Sequence, residues 1–305
     1  MAGTGTGGTS TGGTGGRGGA AGSSGSSGAA GSSGASGSSG AAGSSGSAGR
    51  GGASGSGGSS TDAGADGAAD GGLLPCAPQN VCDDFESYTA GNGFGPWTQN
   101  GTSGMLAVDQ THAFSGKQGV HFKVDAGGNK RVQLQRTGAP MFPAMNNTFW
   151  GRVMVWANNL PMKSDTEDKN VHYDIIQANS GGSEPGEYRV AGMGNVLLNY
   201  EPHDCYYGTN KAIPQDRWAC WEWLFDGTSN TIEFYIDGQL QAKVVSKGQG
   251  CVDGTDSVWD APTFNRLRMG WVNYQSKPAT TDLWMDDFAA GPARIGCPAT
   301  SAQTH

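Results

Sequence analysis

Residues 231–236 read Thr-Ile-Glu-Phe-Tyr-Ile, residues 237–238 read Asp-Gly, and residues 239–244 read Gln-Leu-Gln-Ala-Lys-Val. Apolar and polar residues alternate on both sides of the Asp-Gly pair. Alternation with a period of two is typical of half-buried β-strands, and Asp-Gly supplies the positive φ angles that a type I′ turn requires. The segment therefore predicts a β-hairpin.

Strand-like alternation recurs on both sides of this hairpin. Residues 119–124 place three apolar side chains on one face, whereas residues 131–135 place Arg131, Gln133 and Gln135 together on a polar face. No segment shows a convincing helical period over three turns. Many short strands separated by turn signals predict an all-β sandwich or jelly roll. The other strand-like segments are residues 149–156, 218–225, 265–271 and 282–288.

The first part of the chain has a different composition. Residues 1–72 are almost wholly Gly, Ser, Ala and Thr, without any aromatic residue, Cys, Ile, Leu or Val. Such a segment cannot bury enough apolar surface to offset its ordering entropy, so we expect a disordered tether with a span of roughly 45 Å. We expect the β domain to occupy residues 73–298 and a flexible tail residues 299–305.

Charge and length exclude two classes of partner. The formal net charge is −8 and no cluster of Lys and Arg appears, which argues against nucleic acid. No apolar run approaches the roughly 18–20 residues that span a membrane. We expect a monomer.

The chain has six Cys, none in a zinc-like CxxC pair. We interpret them as disulfides formed in an oxidising compartment, the alternative being buried free thiols. Six Cys allow 15 connectivities, among which the sequence does not choose. We expect a secreted or cell-surface protein, although residues 2–5 have neither the basic nor the apolar part of an export signal. The tether resembles a bacterial lipoprotein stalk whose lipidated Cys would precede residue 1.

Seven short strings follow one another along the β domain: residues 82–86, 149–152, 172–177, 217–223, 248–251, 283–287 and 294–298. Taken in order, these strings resemble the Cip-type family of cellulose-induced secreted proteins, and the resemblance covers nearly all of residues 80–298. It implies a concanavalin-like β-jelly-roll sandwich of two antiparallel sheets, similar to glucuronan and alginate lyases. It also implies a polysaccharide partner, a structural calcium ion and a cleft across one sheet.

A lyase acting on a uronic-acid polymer needs three groups. A cation or amide must neutralise the C6 carboxylate, a base must remove the C5 proton, and an acid must protonate the leaving oxygen. Arg or Gln, His and Tyr supply these functions.

His172 is the first candidate because it lies in a strand-like run with Asp174 on the same face, where the carboxylate would orient it. The alternative is a hydrogen-bonded structural His. Gln177 is a candidate for neutralising the carboxylate. A regular strand places Gln177 on the face opposite His172 unless a bulge intervenes.

Arg152 and Arg189 are candidates for binding a substrate carboxylate through a bidentate fork. The alternatives are a buried salt bridge for Arg152, to Glu222 or Asp174, and a solvent-facing strand position for Arg189. Tyr200 is the proposed general acid or base.

Tyr188 and Tyr274 are substitutes for Tyr200 as the general acid or base. The alternative is that these tyrosines only pack in the core, which is the more common role of a tyrosine in a β domain. We also assign Trp271, Tyr274 and Tyr188 to substrate binding, because sugar C–H faces pack on aromatic rings. Trp221 and Trp223 share a face that we assign to the core.

The family resemblance places calcium ligands at Glu86, Ser115, Gln118 and Asp287. These side chains supply the oxygen atoms that Ca²⁺ prefers. The alternative is that the acidic residues lie in turns at strand ends.

Three functions stay open at this point. The first is a lyase that cleaves a glucuronan-like polymer by β-elimination, and the second is a noncatalytic carbohydrate-binding module on a surface tether. The third, a glycoside hydrolase, needs two carboxylates facing each other across a cleft. Glu222 and Glu233 lie in strands, but no hydrolase-type string of acidic residues accompanies them.

Overall fold

A computed structural model describes residues 76–162, 171–182, 185–201, 203–255 and 258–298. The tether and tail expected at residues 1–72 and 299–305 lie outside these residues. Within them the chain forms sixteen β-strands and a single 3₁₀ turn, Met145–Asn147, and no α-helix. The strands form two antiparallel sheets, which confirms the all-β sandwich.

The first sheet has β6 and β16, its two longest strands, at its centre. Its strand order is β13-β12-β11-β6-β16-β4-β3, and β1 also pairs with β16. Its strands are β1 (Val81–Asp83), β3 (Met105–Asp109), β4 (Gly119–Val124), β6 (Thr148–Asn158), β11 (Trp218–Asp226), β12 (Thr231–Ile236), β13 (Gln239–Val245) and β16 (Thr281–Gly291).

The second sheet carries the candidate site. Its strand order is β14-β10-β9-β8-β7-β15-β5-β2. Its strands are β2 (Thr98–Asn100), β5 (Lys130–Thr137), β7 (Tyr173–Asn179), β8 (Glu187–Gly192), β9 (Val196–Glu201), β10 (Cys205–Gly208), β14 (Gly250–Cys251) and β15 (Arg266–Asn273).

The predicted hairpin is present. Strands β12 and β13 pair antiparallel up to Ile236 and Gln239, and both Asp237 and Gly238 have positive φ, 49° and 75°. These are the backbone conformations that the Asp-Gly pair was expected to supply.

Aromatic side chains fill the space between the sheets. Trp221 and Trp223 of β11 are 1% and 0% exposed, which confirms their assignment to the core. Phe225 on the same face contacts Phe149 edge-on, and Tyr188 of the second sheet packs against it. Each fully buried side chain of this size contributes roughly 1.5–3 kcal/mol, so these contacts hold the two sheets together.

Three disulfides join Cys76 to Cys82, Cys205 to Cys251, and Cys220 to Cys297, and no described cysteine is free. The second links register partners on β10 and β14, and the third ties β11 to the segment after β16. Disulfides of this kind are typical of an oxidising, extracellular compartment. Among the described residues, no helix is long and apolar enough to cross a membrane.

Strand β7 contains a bulge that determines which side chains reach the outer face of the second sheet. Asp174 pairs with Ala191 of β8, but Ile176 pairs with Val190, so Ile175 is the extra residue. Ile175 and Ile176 both point into the core. Asp174 and Gln177, three residues apart, therefore lie on the same outer face.

Candidate functional site

A row of polar side chains crosses the face of the second sheet that points away from the core. The strand register aligns Gln135 of β5 with Arg268 of β15, then Gln177 of β7, Arg189 of β8 and Asn199 of β9. Except for Arg136 beside Gln135, their neighbours along each strand are apolar core residues. Alternation at these positions thus places a continuous polar surface on the outer side of five adjacent strands.

Asp174 lies at the centre of this surface and is fully buried. Its Oδ2 accepts hydrogen bonds from the Tyr274 hydroxyl at 2.6 Å and from the Gln177 amide at 2.9 Å. Arg189 Nε lies 3.6 Å from the same oxygen, and His172 Nε2 lies 3.2 Å from Oδ1. Four of the side chains singled out in the sequence therefore converge on one carboxylate.

The charge of Asp174 is held in place by these neighbours. Burial alone would raise the pKa of Asp174, but the Arg189 charge and the contacts with His172 and Tyr274 bring it below its usual value. Burial and the Asp174 charge raise the pKa of Tyr274 well above its usual value. At neutral pH the centre therefore holds an ionised Asp174 and a protonated Tyr274.

His172 lies one residue before β7, at the edge of the polar surface, and is 8% exposed. Its backbone N–H donates to Gln275 Oε1 at 2.7 Å, and its ring packs 5.2 Å from the Tyr274 ring. The contact between Nε2 and Asp174 is angled, so neither atom makes a well-aligned hydrogen bond to a described partner. An ionised Asp174 still favours the proton on Nε2, which leaves the lone pair on Nδ1.

Arg189 is already surrounded by acceptors. Its Nε donates to Glu187 at 2.6 Å, and a terminal nitrogen lies 3.0 Å from Asn199 Oδ1 and 2.9 Å from Glu201 Oε1. Together with Asp174, three carboxylates neutralise one guanidinium. Arg189 therefore holds the side chains of the centre in place, and little of its charge is left to bind a ligand.

A side chain from β5, two strands away, contacts Gln177 across β15. The Gln133 amide donates to Gln177 Oε1 at 2.8 Å, although β15 lies between their strands. Gln133 pairs in register with Gly270 of β15. A Cβ at Gly270, where φ is +128°, would lie 2.6 Å from the Val132 carbonyl oxygen, so glycine is required there.

The structure separates Arg152 from these residues. Arg152 lies on β6 in the first sheet, pairs in register with Glu222, and donates to the Gly296 carbonyl at 3.3 Å. Burial lowers the pKa of Arg152, while the charges of Asp287 and Glu222 partly offset this effect. Arg152 lies on the first sheet and His172 immediately precedes a strand of the second, so Arg152 does not join the side chains around Asp174.

Three aromatic assignments also fail because the residues point into the core. Tyr200 is 5% exposed and stacks on Trp259; Tyr188 is fully buried and donates to the Trp259 carbonyl. Trp271 is 1% exposed and stacks on Tyr173. No sugar ring reaches these side chains. Tyr274 alone of the named tyrosines reaches the polar surface.

The four expected calcium ligands lie close to one another, with Glu86 after β1, Ser115 and Gln118 before β4, and Asp287 on β16. Glu86 Oε1 accepts from the backbone N–H groups of Lys117 and Gln118, and the Gln118 amide donates to the Phe85 and Tyr88 carbonyls. Among the described residues, the buried Ser115 Oγ and Asp287 Oδ2 make no well-aligned hydrogen bond, although the Ser115 hydroxyl lies close enough to Asp287 to lower its pKa.

Burial raises the pKa of Asp287, and the charges of Asp84 and Glu86 add to this effect, although Ser115 and Arg152 oppose it. The site has two carboxylates, a hydroxyl and an amide, all of which are oxygen ligands. No described group of three or more His, Cys, Asp or Glu residues is arranged to hold a metal.

Sequence reasoning missed Gln133 and Arg268 as members of the outer surface. Their signal was present, since Arg131, Gln133 and Gln135 alternate with apolar residues on β5, and Arg266 and Arg268 do so on β15. Recognising it required knowing that β5 and β15 are neighbours.

No protein-family model matches this chain, and a search of the curated proteins finds no match. A search of the solved structures finds a cellulose induced protein, Cip1, with a TM-score of 0.53 and 20% sequence identity. The alignment covers 72% of this chain and 100% of that protein. The described domain has the fold of Cip1. At this level of identity the likeness concerns the fold, and it confirms the Cip-type jelly roll expected from the sequence.

Binding domains of botulinum neurotoxins also match, at lower TM-scores than Cip1. The binding domain of neurotoxin DC, solved with rat synaptotagmin II, has a TM-score of 0.42 and 12% identity, covering 65% of this chain and 44% of that one. Neurotoxin type C, whose cell entry depends on interaction with two ganglioside molecules, gives 0.45 and 11%, covering 71% and 49%. This chain spans about half their length, and the fold assignment rests on Cip1.

Proposed function

We propose that this protein acts on an extracellular acidic polysaccharide, as a lyase that cleaves a glucuronan-like polymer by β-elimination. The observation that carries the proposal is the convergence of His172, Tyr274, Gln177 and Arg189 on the buried Asp174. These are the residue types that β-elimination requires. They lie on one face of a sheet in a domain that has the fold of Cip1.

Each residue has a defined task in this reaction. His172 Nδ1 accepts the C5 proton, the released electron pair forms the C4–C5 double bond, and the C4–O bond breaks. The protonated Tyr274 hydroxyl donates its proton to the leaving oxygen. Gln177, held by Gln133, presents its amide to the C6 carboxylate. Asp174 orients His172 and Tyr274 without contacting the substrate.

A direct test measures the ultraviolet absorbance of the unsaturated product after incubation with polyglucuronate, alginate or pectate, with calcium present. We expect product from the intact protein and at least a 100-fold lower rate from Tyr274→Phe or His172→Asn, since acid–base catalysis contributes about 10²–10⁴-fold. Tyr235→Phe is the matched control, because its hydroxyl donates to Glu233 on the other sheet. No product from any of the three polymers would refute the lyase.

A noncatalytic carbohydrate-binding module is the second candidate, and the saturation of Arg189 by three carboxylates favours it. Because three carboxylates already neutralise Arg189, its guanidinium can stabilise a binding surface but has no free charge for a reacting group. Retention of the protein on polyglucuronate or plant cell wall, combined with no absorbance change, would select this function.

We also propose a structural Ca²⁺ held by Glu86, Ser115, Gln118 and Asp287. The two buried oxygens that lack a well-aligned hydrogen bond support it, because such atoms are costly unless a ligand satisfies them. A bound cation there would neutralise the carboxylates and tie the segment after β1 and the loop before β4 to β16. The location of the protein on a cell surface through a lipidated stalk is likewise a proposal, supported by the composition of residues 1–72.

A further inference from the structure

Two arginines lie together on the outer face of the second sheet, beside the proposed reaction centre, and a third lies farther along the neighbouring strand. Arg266 and Arg268 are two residues apart on β15, so their side chains share this face. Arg131 lies on the same face of the neighbouring strand β5, four residues from Gln135, the register partner of Arg268, and its charge acts on both arginines from that position. Arg268 pairs in register with Gln177, which contacts Asp174, so the cluster continues the polar row away from Arg189.

Neutral groups hold these guanidiniums in place. Arg266 Nε donates to Asn179 Oδ1 at 2.8 Å, and Arg268 Nε donates to Gln135 Oε1 at 3.0 Å. The carboxylate oxygen recorded nearest to Arg268 is Glu187 Oε2, at 3.7 Å from a terminal nitrogen. Arg189 already occupies the Oε1 atom of Glu187 at 2.6 Å. Among the described residues, Arg266 and Arg268 are therefore anchored through Nε by neutral groups, and their closest carboxylate contact, 3.7 Å, is longer than those of Arg189 to Glu187 and Glu201.

The positive charges also act on one another. Burial, the largest cause, and the neighbouring charges of Arg266 and Arg131 together lower the pKa of Arg268 to about 10, with Glu187 opposing them. The Arg268 side chain is 14% exposed, so water screens this repulsion only in part. Such an excess of positive charge is unusual in a chain with a net charge of −8. An anionic ligand on the cluster would relieve the repulsion.

We infer that Arg266 and Arg268 form a carboxylate-binding subsite for a uronate residue adjacent to the one placed at the Asp174 centre, with Arg131 adding positive charge from farther along β5. This inference rests on the proposed function, because it takes the ligand to be an acidic polymer. Nε anchoring leaves the terminal nitrogens of each guanidinium to form a fork that fits a carboxylate. Arg268 lies two strands from Arg189, about 10 Å across the sheet, so the two arginines address different sugar residues.

The test measures binding and product formation separately on the same proteins. The double variant Arg266→Gln/Arg268→Gln removes two charges and keeps side chains that still reach Asn179 and Gln135. Arg217→Gln is the matched control, since Arg217 is exposed and pairs with Asp237 on the first sheet. Thermal unfolding of each variant verifies folding. Calorimetric titration with polyglucuronate oligomers and with uncharged cello-oligomers, at low and high salt, gives the affinities.

We expect the unaltered protein to bind the acidic oligomers more tightly than the neutral ones, with an affinity that falls as salt rises. The double variant should bind the acidic oligomers about 10- to 100-fold more weakly and show a smaller salt dependence. Arg266→Lys/Arg268→Lys should recover part of the affinity, because it keeps the charge and loses the fork. The control should match the unaltered protein.

Equal binding of acidic oligomers by the double variant and the unaltered protein would overturn the subsite, as would equal binding of acidic and neutral oligomers or a failure to bind acidic oligomers. These results are distinct from failure of the lyase proposal. Tight, arginine-dependent binding without any unsaturated product would refute the lyase and support the subsite. Product formation together with unchanged affinity in the double variant would support the lyase and refute the subsite.

Discussion

Replacing Asp174 with Asn tests whether one buried carboxylate holds the candidate site together. The substitution keeps the shape of the side chain but removes its charge. The new amide group would face donors from Tyr274 and Gln177, which now bond to Oδ2. Hydrogen bonds to charged groups contribute about 1.5–3 kcal/mol each. Arg189 keeps Glu187 and Glu201, so the loss is smaller than the sum over all partners.

We expect Asp174→Asn to lower the free energy of unfolding by about 3 kcal/mol at pH 7, which corresponds to a fall in Tm of roughly 6–12 °C. Urea unfolding with the disulfides intact measures it. Asp125→Asn is the control, because Asp125 is exposed and its substitution should change stability by less than about 0.5 kcal/mol.

The difference should also depend on pH with a defined sign. The pKa of Asp174 is lowered in the folded protein, so its charge stabilises the fold above the unfolded pKa of about 3.9. That contribution is lost as the pH falls through the folded pKa. The gap between the unaltered protein and Asp174→Asn should therefore be full at pH 7 and shrink below about pH 4. A variant within 0.5 kcal/mol of the unaltered protein at pH 7 would refute the role assigned to Asp174.

Three further outcomes follow from the geometry. Gly270→Ala should lower the free energy of unfolding in urea by roughly 2–4 kcal/mol, because φ is positive there and the new Cβ would clash. Gly238→Ala measures the effect of positive φ without a clash, and Gly182→Ala, which has neither problem, should leave stability unchanged. Substituting Cys220 and Cys297 together by Ser should cost about 4.5 kcal/mol by the loop-closure relation for 77 residues of separation; a loss below 1 kcal/mol would contradict it. Added Ca²⁺ should raise Tm in a concentration-dependent way and a chelator should reverse it, whereas an unchanged Tm would refute the calcium site.

The regular parts of the fold could be predicted from the sequence because their signals are local. The Asp-Gly hairpin and the inward tryptophans of β11 follow from a period of two and from turn chemistry, both readable within a few residues. The pairing of β5 with β15 could not be read in this way. Those strands are separated by more than a hundred residues, and no local pattern identifies which strands become neighbours.

The candidate site was predicted in part for the same reason. His172, Arg189, Gln177 and Tyr274 lie where their residue types were expected to act, but Tyr200 and Arg152 do not. An aromatic residue on a strand looks the same in sequence whether it faces the core or the outside. Arg152 shows a second limit. An arginine within an apolar strand fits a functional site in either sheet, and the sequence does not tell which sheet contains that strand.

The extra residue in β7 links the fold to the site. In a regular strand, Asp174 and Gln177 would face opposite ways, and the core would have to accept one of them. Ile175 and Ile176 instead both enter the core, so their buried apolar area, roughly 1.5–3 kcal/mol for each side chain, favours the irregular register. The same register presents the Gln177 amide to Asp174 and to Gln133 beyond Gly270. Hydrophobic burial on one face of the strand thus fixes the polar centre on the other face.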